Sequence, residues 1–155
     1  MPDDPKHLKR LDRLFPRSPV YFITTTLPTR TPILANPAFH AICREVWITS
    51  ETLHHWSVGP YVIMPDHVHF FCRESSEGAT SLSIFVGKWK EWTSKFAKRR
   101  LGYQAPLWQK EFFDHVLRSE ESLRKKIDYV WFNPVRSGLV ADPEEWVYRG
   151  NLGGW

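Results

Sequence analysis

The stretch from Tyr61 to Phe71 constrains the fold of this 155-residue chain more than any other, because two histidines stand inside an apolar run. β-Branched and aromatic residues dominate the run, Gly59-Pro60 precedes it and Pro65 divides it, a pattern that predicts two strands joined by a turn. Side chains alternate between the faces of a strand, so His67 and His69 share one face. Two such imidazoles can bind one metal ion if a third ligand comes from elsewhere, and a half-exposed polar face is the competing interpretation.

The amino-acid composition and net charge are those of an ordinary globular protein with a modest preference for a polyanionic partner. Hydrophobic residues make up 42% and charged residues 25%, which excludes a disordered chain. The net charge of +4 and the eight tryptophans favour nucleic acid, since indoles interleaved with basic residues can stack on unpaired bases. Cys43 and Cys72 show no ligand spacing and are predicted to be free buried thiols. With neither a signal peptide nor a membrane span, the sequence predicts a cytoplasmic protein without a membrane partner.

We expect a single domain over residues 1–155, with a Pro-punctuated basic arm at residues 1–19 and a C-terminal tail at residues 135–155. Residues 20–27 read as the first strand, and residues 112–117 as the last. Helices are predicted from the Asn36 cap to about residue 54, from about residue 81 to 100, and from the Ser119 cap to Pro134. This order predicts an α+β, ferredoxin-like fold, with its helices on one face of an antiparallel sheet.

The second predicted helix has a one-sided charge. Residues 88–100 contain six basic residues and one acid, which indicates either a solvated face or a surface for phosphate contacts. Lys88, Lys95 and Arg99 are the candidate DNA-binding residues on this face.

The third predicted helix carries a tyrosine outside its apolar arc. At about 100° per residue, Tyr129 and Asn133 share a face away from the apolar residues, with Lys125 and Lys126 beside them. A phenol near a divalent metal and positive charge can attack a phosphodiester, and an amide oxygen is a hard metal ligand. A surface tyrosine with an asparagine in a helix-ending turn is the alternative.

Three motifs in this order resemble the REP-associated tyrosine transposases, which are single-tyrosine HUH transposases. They are MPDHVHF at residues 64–70, PLWQ at 106–109 with FFDHVLR at 112–118, and DYVWFNPVRSGLV at 128–140. The similarity runs from about Val20 to Trp146.

The resemblance implies an HUH endonuclease fold in which His67, His69 and Asn133 bind Mg²⁺ or Mn²⁺ and Tyr129 is the nucleophile. It implies cleavage of single-stranded DNA at sites associated with a REP-like hairpin, through a 5′-phosphotyrosine and with release of a 3′-hydroxyl. Lys125 and Lys126 would contact the DNA. The protein is expected to act as a monomer or a homodimer.

Two other functions use some of the same residues. A histidine-triad nucleotide hydrolase needs a third histidine at the next alternate strand position, where this chain has Phe71. A non-catalytic module for single-stranded nucleic acid would use the tryptophans and lysines without a metal. Metal-dependent covalent trapping of DNA separates the transposase from both.

Overall fold

Five antiparallel strands form the sheet that positions the histidine pair. The computed structural model describes residues 19–155, so the predicted basic arm lies outside the described residues except for Pro19. The strands are β1 (Val20–Thr26), β2 (Trp56–Ile63), β3 (His67–Glu74), β4 (Phe113–Leu117) and β5 (Arg149–Asn151). Their order in the sheet is β4-β1-β3-β2-β5, which makes β3 the central strand. The first four strands have the arrangement of a ferredoxin-like fold, and the predicted fold class is confirmed.

The predicted hairpin joins β2 to β3 through a tight turn. The Met64 N–H donates to the His67 carbonyl at 2.8 Å and closes the turn. The loop after β1 holds the same turn from outside, since the Leu27 N–H donates to the Asp66 carbonyl and the Leu34 N–H to the Pro65 carbonyl. The start of β3 is therefore fixed by the end of β2 and by the loop after β1.

Helices α1 (Pro37–His54) and α2 (Leu82–Leu101) begin where their caps predict. The Asn36 carboxamide accepts from the Phe39 N–H, and the Ser81 hydroxyl accepts from the Ile84 N–H. Both helices pack on one face of the sheet, where the rings of Trp47 and Trp89 stack with centroids 5.3 Å apart. None of the helices in residues 19–155 is long and apolar enough to cross a bilayer.

The core beneath α1 and α2 holds the two cysteines and a buried polar contact. Cys43 and Cys72 are free and buried, as predicted. The fully buried Tyr61 hydroxyl lies 2.6 Å from His40 Nε2 and accepts from Arg44 Nη1 at 3.0 Å. Burial, and then the charge of Arg44, lower the pKa of His40. This contact ties α1 to β2.

Helix α3 (Glu120–Trp131) packs on the opposite face of the sheet, so the expectation that all helices share one face is wrong. Its buried residues, Leu123 and Val130, join the apolar cluster that contains Val20 and Phe22. The reason is that both faces of the central strands are apolar and need cover: every residue of β2 is buried. His67 and His69 alternate with Val68, which packs under α1 and α2, so the histidines lie on the α3 face.

The C-terminal tail is more regular than its sequence predicts. Helix α3 ends at Trp131, and Pro134 lies in the first turn of a short helix α4 (Asn133–Arg136) rather than simply closing α3. A 3₁₀ turn (Pro143–Glu145) follows, and β5 then pairs with β2 and extends the sheet. Trp155 is buried against Gly59, where an added Cβ would lie 2.5 Å from the indole.

Candidate active site

The two histidines of β3 converge on one point. Their Nε2 atoms are 3.1 Å apart, and their ring planes are inclined by 78°. With metal–nitrogen bonds of about 2.1 Å, this separation corresponds to an angle of about 95° at a shared ion. The pair therefore has the geometry of two ligands to one ion.

The other nitrogen of each imidazole has a partner that fixes the ring. His67 Nδ1 lies 2.6 Å from Asp66 Oδ1, and His69 Nδ1 lies 2.8 Å from Thr24 Oγ1. Because a carboxylate only accepts, His67 Nδ1 carries a proton, and its Nε2 is free when the ring is neutral. The Thr24 hydroxyl can donate or accept, so it is compatible with either tautomer of His69. Such partners orient metal-binding histidines in proteins.

Asp66 is itself held by a cation. Arg30 Nε donates to Asp66 Oδ2 at 2.7 Å from the loop after β1. Burial alone would raise the pKa of Asp66, but the hydrogen bonds from Arg30 and His67 outweigh it and keep that pKa below its usual value. Asp66 is therefore an anion at neutral pH.

His69 is held in its neutral form. Burial, followed by the charges of His67, Lys126 and Arg136, lowers its pKa to about 3. Neutral imidazole is the form that binds metals, so His69 is available as a ligand throughout the physiological range.

A series of ring contacts links the histidines to α3. The Phe22 ring stacks on His69 with centroids 5.2 Å apart. Lys126 Nζ lies over Phe22 at 4.7 Å and over Tyr129 at 5.3 Å from the ring centroids. Tyr129 is 56% exposed, which agrees with its predicted place outside the apolar arc. The structure thus brings Tyr129, Lys126 and the histidine pair to the same face of the sheet.

Asn133 occupies a different element from the one predicted. Because α3 ends at Trp131, Asn133 opens α4 and does not share a continuous helix face with Tyr129. Its Oδ1 accepts only a long bond, 3.5 Å from Ser137 Oγ, and no hydrogen bond joins it to either imidazole in the described part of the chain. Within residues 19–155, no three His, Cys, Asp or Glu residues form a metal cluster. Asn133 as the third ligand stays a prediction.

A cavity of about 640 Å³ opens between β4 and α3, next to Tyr129. Three basic residues, Arg118, Lys125 and Lys126, contribute to its lining, together with His115, Val116, Leu117, Ser119, Ser122 and Tyr129. Two of the predicted DNA-binding residues, Lys125 and Lys126, therefore lie beside the candidate nucleophile.

The other three predicted DNA-binding residues belong to α2, on the other side of the sheet from the histidine pair. Helix α2 packs on the face of the sheet opposite the histidines. Lys88 and Lys95 share the carboxylate of Glu91, at 3.4 and 2.9 Å. The structure does not bring Lys88, Lys95 or Arg99 together with Tyr129.

Sequence reasoning missed Asp66, Thr24, Phe22 and Arg136. Asp66 adjoins His67 in the chain, so the sequence alone could have indicated a carboxylate partner for this histidine. Thr24 and Phe22 meet His69 only through the pairing of β1 with β3, which no local pattern shows.

Comparisons with known proteins agree with the fold and the motifs. No family model matches the chain. It is 26% identical over 146 residues to a putative REP-associated tyrosine transposase of Haemophilus influenzae, covering 88% of this chain and 81% of that protein. It is 24% identical over 136 residues to the REP-associated tyrosine transposase of Escherichia coli, covering 88% and 78%.

Two solved structures share the fold. A REP-associated tyrosine transposase bound to a REP hairpin superposes with a TM-score of 0.71 at 23% identity, covering 84% of this chain and 75% of the other. A putative transposase from Deinococcus radiodurans superposes with a TM-score of 0.54 at 16% identity, covering 72% and 87%. The resemblance that the three motifs predict is thereby confirmed: over most of its length, this chain is similar to the REP-associated tyrosine transposases, and it has their fold.

Proposed function

We propose that this protein is a metal-dependent endonuclease and strand transferase that acts on single-stranded DNA beside REP-like hairpins. Tyr129 is the nucleophile, and its product is a 5′-phosphotyrosine. The names of the relatives support a transposase, and one related structure is bound to a REP hairpin. The metal, the tyrosine chemistry and the site residues are our proposal.

The observation that carries the proposal is the inward convergence of the two Nε2 atoms, 3.1 Å apart, with each Nδ1 held by a partner. The Nδ1 contacts orient the two rings so that both Nε2 atoms are directed at one point, where a single ion would have two nitrogen ligands. Tyr129 reaches this face through the contacts of Lys126 and Phe22.

His67, His69 and Asn133 would hold the divalent ion. Bound there, Mg²⁺ or Mn²⁺ would polarise a non-bridging oxygen of the scissile phosphate. Nitrogen ligands suit Mn²⁺ better than Mg²⁺. Asp66 and Thr24 would keep the two imidazoles in position.

The cleavage step exchanges one phosphorus–oxygen bond for another. The Tyr129 phenol gives its proton to water, and its oxygen forms a bond to phosphorus as the bond from phosphorus to the 3′-oxygen breaks. The leaving 3′-oxygen takes a proton from water and becomes a free 3′-hydroxyl. Rejoining reverses these steps with another 3′-hydroxyl as the attacking group.

Lys125 and Lys126 would contact the strand in the cavity beside Tyr129. Lys88, Lys95 and Arg99 belong to the helix on the other face of the sheet from Tyr129, and we propose that they contact another part of the hairpin DNA.

The decisive experiment is covalent trapping. Single-stranded oligonucleotides spanning the repeats that flank the gene, labelled 3′ of each candidate cut, are incubated with protein and Mn²⁺ or Mg²⁺ and separated under denaturing conditions. Label should migrate with wild-type protein but not with Tyr129→Phe or His67→Ala. Tyr148→Phe is the matched control, because it removes a phenol oxygen from the opposite face and should retain the adduct.

An adduct with Tyr129→Phe, or cleavage by wild type without an adduct, would refute the tyrosine mechanism. Binding with neither cleavage nor adduct for any oligonucleotide would favour the non-catalytic module instead.

A further inference from the structure

Arg136 lies against the candidate nucleophile and near the metal-binding pair. Its Cζ is 3.8 Å from the centroid of the Tyr129 ring. The charges of Lys126 and Arg136 both reach His69, where they add to the effects of burial and of His67 on its pKa. Arg136 is therefore within electrostatic range of both halves of the proposed active site.

Three of the other cations that lie over aromatic rings in residues 19–155 pair with a glutamate. Arg100 lies over Phe96 and pairs with Glu45 at 2.7 Å, and Lys95 lies over Trp92 and pairs with Glu91 at 2.9 Å. Arg149 lies over Trp131 and pairs with Glu144 at 2.9 Å. In residues 19–155, no carboxylate pairs with Arg136 or with Lys126.

The Arg136 guanidinium also keeps its hydrogen-bonding capacity. A guanidinium that lies over a ring contacts it through its flat face. Its N–H groups point outward from the edge and can donate to a carboxylate or a phosphate. The Arg136 side chain makes no hydrogen bond within the described part of the chain, and the residue is exposed. Two positive charges without a carboxylate partner, side by side next to a tyrosine, favour the binding of an anion.

We propose that Arg136, together with Lys126, forms the receptor for the scissile phosphodiester, holding its non-bridging oxygens between Tyr129 and the histidine pair. The inference rests on the proposed role of Tyr129 and adds the residue that binds the reacting group. Negative charge grows on those oxygens as the Tyr129 oxygen attacks, and the N–H groups of Arg136 donate to them. Arg136 neither gains nor loses a proton.

Methylphosphonate scanning tests this contact without requiring cleavage. Oligonucleotides that each carry one neutral methylphosphonate are titrated into Tyr129→Phe protein and into Tyr129→Phe/Arg136→Gln protein, with Mn²⁺ present. We expect one position at which neutralising the phosphate weakens binding to Tyr129→Phe and weakens binding to the double variant distinctly less, because Lys126 alone still contacts that phosphate. Tyr129→Phe/Arg149→Gln is the matched control, since it removes another arginine that lies over a ring of α3, and it should keep the penalty at every position.

A second measurement uses the intact nucleophile. At saturating DNA, Arg136→Gln should slow formation of the covalent adduct by about 100-fold, as removal of one donor to a developing oxyanion does. Arg136→Lys should recover part of the rate, and Arg149→Gln should match wild type. The sensitive position in the scan should be the phosphate that wild type joins to Tyr129.

The outcomes separate the inference from the proposed function. Equal methylphosphonate penalties with and without Arg136 at every position would overturn the inference, whether or not wild type forms an adduct. An Arg136-dependent position in a protein that forms no adduct would support Arg136 as a phosphate receptor while refuting Tyr129 as the nucleophile.

Discussion

At the residue scale, the orientation of the histidine pair depends on two side chains that are not among the proposed metal ligands. Asp66 fixes the protonated nitrogen of His67, and Thr24 contacts the corresponding nitrogen of His69. Arg30 in turn holds Asp66. The orientation of each imidazole ring is therefore set by side chains outside the group of proposed ligands.

Replacing Asp66 tests this dependence directly. Asp66→Ala should weaken Mn²⁺ binding by about 10- to 100-fold, because His67 loses the acceptor that fixes its tautomer and ring orientation. Isothermal titration calorimetry on protein freed of metal measures the affinity. Asp114→Ala is the control, since Asp114 is an exposed aspartate on β4 outside the site. Equal Mn²⁺ affinities for wild type and Asp66→Ala would show that Asp66 has no such role.

His40 should make stability depend on pH. The folded protein lowers the pKa of His40, whereas the unfolded chain titrates near 6.5. As the pH falls through 6.5 toward the lower folded value, the unfolded state binds a proton that the folded state does not, so the free energy of unfolding decreases. His40→Gln keeps a polar partner for Tyr61 but does not titrate. Urea unfolding in EDTA at pH 7 and pH 5 should show a smaller loss for His40→Gln, and an equal loss would contradict the assignment.

The sequence predicts the histidines and the tyrosine because each belongs to a local pattern. Alternation along one strand puts His67 and His69 on one face, and helical spacing takes Tyr129 out of the apolar arc. Thr24 belongs to no such pattern, because its contact with His69 depends on the register of β1 against β3. Arg136 follows the end of α3, and its place over Tyr129 depends on the turn at Phe132.

At the element scale, the sheet separates the proposed DNA contacts into two layers. Lys125 and Lys126 line the cavity on the α3 face, and the basic residues of α2 lie on the other face. The starts of the helices are predictable because caps act on adjacent residues, as Asn36 and Ser81 do. The face on which α3 packs is not decided locally, although the consecutive apolar residues Tyr61, Val62 and Ile63 of β2 were a signal that both sides of the sheet need cover.

Salt dependence should distinguish the two layers. For an unstructured single strand, Lys125→Ala/Lys126→Ala should reduce the slope of log affinity against log salt by about 1.4, since each phosphate contact contributes about 0.7. The triple variant Lys88→Ala/Lys95→Ala/Arg99→Ala should change the slope only for DNA that carries a hairpin. Fluorescence anisotropy over a salt series provides the slopes. A larger effect of the triple variant on the unstructured strand would place the strand on α2.

At the scale of the whole molecule, the C-terminal segment closes the sheet. Strand β5 covers the edge of β2, and the buried Trp155 packs on Gly59 where no side chain fits. No single stretch of the sequence predicts this contact, because β3, β4 and β5 lie between Gly59 and Trp155 in the chain.

A pair of glycine substitutions tests how tightly this closure packs. Gly59→Ala should lower the free energy of unfolding by about 1–3 kcal/mol, because its Cβ would overlap the Trp155 ring. Gly87→Ala adds the same methyl group to the exposed side of α2, where nothing lies within 4 Å, and should stabilise the protein by about 0.5–1 kcal/mol. Urea denaturation compares them. If Gly59→Ala proved at least as stable as Gly87→Ala, Trp155 would not occupy this position.

The central place of β3 also determines which part of the active site opens first. β3 is hydrogen-bonded on both sides, to β1 and to β2, whereas α3 is attached mainly through Leu123 and Val130. Local unfolding free energies follow such differences, so amide hydrogen exchange should be slowest in β3 and much faster in α3. Under the proposed mechanism, a DNA end joined to Tyr129 would therefore be carried on the less protected helix, while the two imidazoles stay on the most protected strand.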